Sequence, residues 1–136
     1  MYINNRLKTL ENWNVSNGTN FSFMFDTCSF SDLSPLKIWN VSKVKNFTYM
    51  FFSCVYIKDI KPLENWNVSN CENFSFMFQN CQDLHDLHVS PLKNWNVAKG
   101  KNFEEMFSGC PSLINKNSIK KWKPAKKIDF NKVFTQ

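Results

Sequence analysis

Apolar residues return along this chain in a fixed order, and five tryptophans mark the period. Trp13, Trp39, Trp66, Trp95 and Trp122 are spaced 26, 27, 29 and 27 residues apart. Eight residues after each Trp stands Phe21, Phe47, Phe74, Phe103 or Phe130, and twelve after it Phe25, Phe51, Phe78, Phe107 or Phe134. Met24, Met50, Met77 and Met106 precede the second Phe in four units, with Val133 in the last. Cys28, Cys54, Cys81 and Cys110 follow fifteen residues after the first four Trp. Leu10, Leu36, Leu63, Leu92 and Ile119 lie three residues before each Trp, three of them directly after Pro35, Pro62 and Pro91. Self-similarity at one period is the signature of a repeat architecture.

Each unit carries two local patterns. Phe47, Met50, Phe51 and Cys54 occupy i, i+3, i+4 and i+7, which predicts one apolar face of a short helix. Asn20, Asn46, Asn73 and Asn102, with Asp129 in the last unit, stand where a side-chain oxygen would cap that helix. Trp39-Asn40-Val41 alternates instead, which predicts an extended segment with Trp and Val on one side. The prolines mark entry to that segment and disfavour helix just before it.

A unit of this size cannot bury its own core, so its apolar set must be covered by neighbouring units. The expected fold is an α/β repeat solenoid of leucine-rich-repeat type. Short extended segments would form a parallel ladder on one side, with short helices on the other. One domain would span 1–136: a half unit over 1–12, repeats over 13–38, 39–65, 66–94 and 95–121, and a basic capping half unit over 122–136. The expected core comprises the five Trp, the ten Phe and the four periodic Cys named above.

The Trp-Asn-Val-Ser, Asn-Phe-x-x-Met-Phe-x-x-Cys units resemble the BspA-type leucine-rich repeats of bacterial, protist and giant-virus proteins, most of all their mollicute-type subfamily. The resemblance covers residues 10–113 well and 119–136 in part, where Val, Met and Cys are lost. It implies a curved binding scaffold, often at cell surfaces, and does not imply a catalytic activity. Composition agrees on the source: 19 Asn, 16 Lys and 14 Phe against 2 Ala, 3 Gly and 1 Arg suit an AT-rich genome.

Charge sharpens the reading. Residues 1–92 carry net −1 and residues 93–136 net +7, giving the total of +6. Lys116, Lys120, Lys121, Lys123, Lys126 and Lys127 surround Trp122, a stretch that could meet an acidic partner or, as the weaker reading, nucleic acid. As the core Trp of its unit, Trp122 is expected to be buried and so not to stack on bases.

Other candidate chemistry is sparse. The periodic thiols are expected to pack as small hydrophobes; Cys71 replaces Val44 or Gly18 in its column, which leaves a semi-exposed free thiol open there. Asp83, His85, Asp86 and His88 crowd the longest inter-Trp segment, which reads as a solvated loop rather than a metal site. Asn-x-Ser/Thr begins at Asn14, Asn17, Asn20, Asn40, Asn46, Asn67 and Asn73, but Asn-Val-Ser belongs to the repeat itself. Nothing suggests a catalytic site, cofactor, metal or small-molecule substrate. No stretch reaches the roughly 18–20 apolar residues of a membrane span, and residues 1–6 lack a signal-peptide pattern, which leaves the compartment open.

The functional expectation is a non-enzymatic module mediating protein–protein interaction. Its contacts would lie on the stacked extended-segment face, with Lys43, Lys45, Asn70 and Glu72 outward. The alternative is a structural component of a virion or cell-surface assembly.

Overall fold

In every complete unit the Leu-x-x-Trp step forms a tight turn. Four short 3-10 turns occur at η1 (Thr9–Asn12), η2 (Ser34–Leu36), η3 (Lys61–Leu63) and η4 (Ser90–Asn94). This computed structural model describes residues 8–85, 90–113 and 117–135. Pro35 and Pro62 sit second in their turns, within the first turn, where a fixed φ suits helical geometry and a missing N–H costs nothing. The prolines therefore begin a helical turn, not an extended segment. Each following Trp amide closes on the Leu carbonyl three residues back, at 3.0–3.1 Å.

The expected α/β solenoid is not what forms. Among the described residues there is no β-strand and no sheet. Three isolated parallel bridges pair Asn20 with Asn46, Asn46 with Asn73 and Asn73 with Asn102. Extended backbone after each Trp is cut short by a turn, because the Asn40 side-chain oxygen accepts the Ser42 amide at 3.1 Å, as Asn14, Asn67 and Asn96 do for theirs. Such side-chain oxygens compete with sheet pairing for the backbone.

In the first four units the expected helices are absent for a related reason. The stretch Phe47–Cys54 consists of successive four-residue turns, closed by Met50 N–H to the Phe47 carbonyl and Cys54 N–H to the Phe51 carbonyl. Tyr49 and Ser53 carry positive φ, 58° and 54°, as do Phe23, Thr27, Phe76, Asn80, Glu105 and Gly109 in the other units. A positive φ at the third position of a turn interrupts any helix. These segments are rich in Phe, Tyr, Ser, Thr and Asn, all weak helix formers, and an isolated helix this short is marginal in water.

Bonds between units replace the bonds within a helix. The amides of Phe21, Phe23, Phe25 and Thr27 donate to the carbonyls of Asn46, Thr48, Met50 and Phe52 at 2.7–3.0 Å. Phe47, Tyr49, Phe51 and Ser53 do the same onto Asn73, Ser75, Met77 and Gln79, and Phe74, Phe76, Phe78 and Asn80 onto Asn102, Glu104, Met106 and Ser108. Along these stretches each coil donates toward the C-terminal end of the stack, whereas the Lys45, Glu72 and Lys101 amides just before them donate the other way, to Thr19, Lys45 and Glu72. A left-handed φ costs a non-glycine residue roughly 1–2 kcal/mol; two per coil are offset by four inter-coil bonds and a filled core.

That core is columnar. Phe25, Phe51, Phe78, Phe107 and Phe134 follow one another at 5.4–5.7 Å between ring centroids. Phe21, Phe47, Phe74 and Phe103 form a second column at 5.1–6.2 Å. Trp39, Trp66, Trp95 and Trp122 are buried, and each indole N–H donates to the Leu carbonyl of the preceding unit at 2.8–2.9 Å. Burying one such ring contributes about 2–3 kcal/mol.

The expected core list needs correction at the ends of the stack. Trp13 is 56% exposed, because no unit precedes it among the described residues to supply the carbonyl and rings that cover the others. Cys28, Phe130 and Phe134 are half-buried at the two ends. The last unit closes with α1 (Phe130–Val133), where Asp129 accepts the Asn131 amide at 3.0 Å.

Candidate functional site

The thiols are the first nucleophiles to place. Cys54, Cys81 and Cys110 donate to the carbonyls of Phe25, Phe51 and Phe78, one unit back, at 3.0–3.3 Å. Burial pushes Cys54 and Cys110 up to about 12, and Cys81 well above its ordinary value. Cys71 is fully buried, so the semi-exposed thiol that its column left open does not occur. It fills the space between coils that Val44 fills one unit earlier, and burial lifts it to about 12 too. Cys28 is raised by burial and then by the nearby Asp26 charge. Thiolates are the reactive form, so these groups are set for packing rather than chemistry.

Of the histidine cluster, Asp86 and His88 lie outside the described residues. Asp83 is half-buried and His85 exposed. Among the described residues no group of three His, Cys, Asp or Glu converges in a way that could hold a metal ion.

The basic C-terminal unit is a surface of lysines. Lys120, Lys121, Lys123, Lys126 and Lys127 are all exposed, while Lys116 lies outside the described residues. Trp122 is buried under Trp95, with its ring 6.4 Å away and parallel, so it offers no face to a base. A shallow cleft of about 220 Å³ beside this unit is lined by Lys101, Lys127 and Lys132 together with Glu104 and Asp129. Its charges are mixed: Lys101 pairs with Glu72 at 3.3 Å and Asp129 caps α1.

Asn-x-Ser/Thr acquires a structural meaning. Asn46 accepts both the amide and the hydroxyl of Thr48, at 2.8 and 2.5 Å, and Asn73 accepts both from Ser75, at 2.9 and 2.6 Å. Asn14 and Asn67 hold Ser16 and Ser69 in the same way. The Asn oxygens that sequence spacing reads as helix caps therefore do cap backbone amides, but in turns.

The outward column carrying Lys43 and Asn70 also ties units together. Lys43 Nζ donates to Asn17 at 3.0 Å, and Lys99 Nζ donates to Asn70 at 2.7 Å. Lys45 is exposed and Glu72, paired with Lys101, is partly so.

One feature lies outside the core positions of the repeat. Phe23, Tyr49 and Phe76 stack along the outside of the coils at 4.7 and 4.5 Å, with Phe52 edge-on to Tyr49 at 5.4 Å. Their φ values of 61°, 58° and 59° turn these rings away from the core. The available signal was an aromatic residue ten positions after three Trp in a row, one step off the core period. In the fourth unit Glu105 ends the column and accepts a bond from Gln79 at 2.6 Å.

A family described as Mycoplasma protein of unknown function, DUF285, matches residues 2–90 and again residues 39–136. The chain belongs to this family. The two overlapping matches together span nearly the whole chain, in keeping with a mollicute-type repeat family. No curated protein and no solved structure matches the chain. No helix among the described residues is long and apolar enough to cross a membrane.

Proposed function

We propose that this protein is a non-enzymatic repeat module that binds another protein along its outer aromatic column. The observation that carries the reading is the column itself: Phe23, Tyr49 and Phe76, continuous across three coils and flanked by Phe52. Large apolar rings held outward at left-handed φ cost stability, and a contiguous apolar stripe, exposed at Phe23 and half-buried at Tyr49 and Phe76, is a feature of interaction sites. The likeness of the units to BspA-type repeats, whose scaffolds are used for binding, supports the same reading.

The test compares the wild-type chain with a Tyr49→Ser/Phe76→Ser variant in affinity capture from the native host, after circular dichroism has shown both folded. The expected result is a specific protein partner retained by the wild type and lost by the variant. Equal capture by both, or no specific partner for the wild type, would sink the proposal.

A second reading rests on the exposed lysines of residues 120–127: contact with an acidic partner. It predicts binding that weakens steeply between low and physiological salt, as screening of exposed charges requires.

A further inference from the structure

Lysines gather on two neighbouring outward columns of the stack. Lys43 and Lys45 flank the buried Val44, Asn70 and Glu72 flank the buried Cys71, and Lys99 and Lys101 flank the buried Gly100. Backbone bonds hold these pairs in line from coil to coil. The Glu72 amide donates to the Lys45 carbonyl at 3.0 Å, the Lys101 amide to the Glu72 carbonyl at 2.8 Å, and the Lys126 amide to the Gly100 carbonyl at 3.4 Å. Lys127 follows Lys126 and lines one cleft with Lys101. Exposed ammonium groups at positions 43, 45, 99, 101, 126 and 127 therefore run along one side of the coils.

Little of this charge is cancelled. Lys43 and Lys99 donate to the neutral amides of Asn17 and Asn70 at 3.0 and 2.7 Å, which fixes the ammonium groups and leaves their charge intact. Lys101 pairs with Glu72 at 3.3 Å, with both side chains about half-exposed. Lys45, Lys126 and Lys127 have no ion pair among the described residues. Glu104 and Asp129 border the row only at the cleft beside Lys101 and Lys127. Like charges held in a row repel one another, and their summed field draws in a ligand of opposite sign.

We propose that this lysine row binds an acidic polysaccharide, a chain whose sulfate or carboxylate groups recur at short intervals and can follow the coils. Lysine meets an anion as a point charge on a flexible stem, which suits a polymer read by the spacing of its charges. Asn17 and Asn70, in the same column, offer amide groups to sugar hydroxyls. Single-stranded nucleic acid is the poorer fit, because its bases need open ring faces to stack on. Here Trp122 is covered by Trp95, and Phe23, Tyr49 and Phe76 lie face to face on one another. The site goes beyond the acidic-partner reading above, since Lys126 and Lys127 belong to the row whereas Lys120, Lys121 and Lys123 do not. The outer aromatic column takes no part in it.

The test titrates heparin, a sulfated polysaccharide, into the full chain by calorimetry at about 50 mM salt, where charges on neighbouring coils still act together. Saturable binding is expected. Lys43→Gln/Lys45→Gln/Lys99→Gln, shown folded by circular dichroism, is expected to bind at least about tenfold more weakly and with a flatter dependence on salt. Lys37→Gln/Lys58→Gln/Lys61→Gln removes the same charge from exposed lysines off the row and is expected to leave the affinity unchanged. Glu72→Gln removes the acid within the row and is expected to tighten binding. Tyr49→Ser/Phe76→Ser is expected to bind heparin as the wild type does, which separates this site from the aromatic column. No binding of heparin, equal weakening by the two lysine triples, or a loss confined to Lys120→Gln/Lys121→Gln/Lys123→Gln would overturn the proposal. So would tighter binding of oligothymidylate or of poly-glutamate than of heparin, since nucleic acid or an acidic protein would then be the occupant.

Discussion

Replacing Trp66 by Phe tests the inter-unit architecture at one atom. The Trp66 indole is 4% exposed, its N–H donates to the Leu36 carbonyl at 2.9 Å, and its ring lies parallel to Phe47 at 5.8 Å. The substitution removes that hydrogen bond and leaves a smaller ring in the same slot. The Leu36 carbonyl retains the Trp39 amide at 3.1 Å, so it is not left bare and the full penalty for an orphaned buried group does not apply. A net hydrogen bond is worth about 1 kcal/mol, and the lost packing adds about 1–2. The expected cost is thus about 2–3 kcal/mol, a shift of roughly 1–2 M in the urea midpoint for an m-value of roughly 2 kcal/mol/M. Trp13→Phe is the internal control: the residue holds the same place in its unit but stands open, and its cost is expected to stay within about 0.5 kcal/mol. Urea unfolding followed by circular dichroism reads both without relying on the altered fluorophore. Equal costs for the two variants, or a neutral Trp66→Phe, would refute the claim that neighbouring units, rather than the unit itself, stabilise each tryptophan.

Backbone strain makes a pair of opposite predictions. Gly109 has φ +70° and a Cβ there would come within 2.0 Å of the Asn80 side-chain oxygen, so Gly109→Ala should lower stability by at least about 1–2 kcal/mol. Thr27 is exposed and β-branched at φ 58°, so Thr27→Gly should raise the melting temperature by a few degrees, a gain of up to about 1 kcal/mol. Thiol titration gives a pH dependence of definite sign. Burial lifts Cys54, Cys71 and Cys110 from 9.0 to about 12, so the folded state holds protons that the unfolded chain releases. Their contribution is intact below about pH 9 and is lost as pH rises toward 12, which urea titrations at pH 8 and 10.5 will show as falling stability. Under native conditions a thiol reagent should label half-buried Cys28 first and reach the other four only on unfolding, as mass spectrometry would record.

The lysine-rich end was legible as charge, since ten of the seventeen basic residues fall after residue 92. Its separation from Trp122 followed from the repeat as well, because a Trp in the core column is covered by its neighbour. The outer aromatic column was not legible in this way. Phe23, Tyr49 and Phe76 look like three more core aromatics in a Phe-rich chain, and only their positive φ directs them outward. Cys71 failed in the opposite direction: it departs from the residues in its column, yet the space between coils is closed whatever small side chain stands there.

By itself the sequence determined the period and the alternation of inward and outward positions. It also determined the Asn oxygens that cap each turn and the need for units to cover one another. It could not determine the backbone path. Inward positions spaced three, one and three residues apart are satisfied equally by a short helix and by two successive four-residue turns. The two differ in where the amides point, back along one helix or across to the next coil. Stacking decides between them, because an amide such as that of Phe51 meets the Met77 carbonyl only once the neighbouring unit is in place. Tertiary structure likewise separates Trp13 from Trp39 and Trp66: the same Trp-Asn-Val-Ser is buried inside the stack and exposed at Trp13.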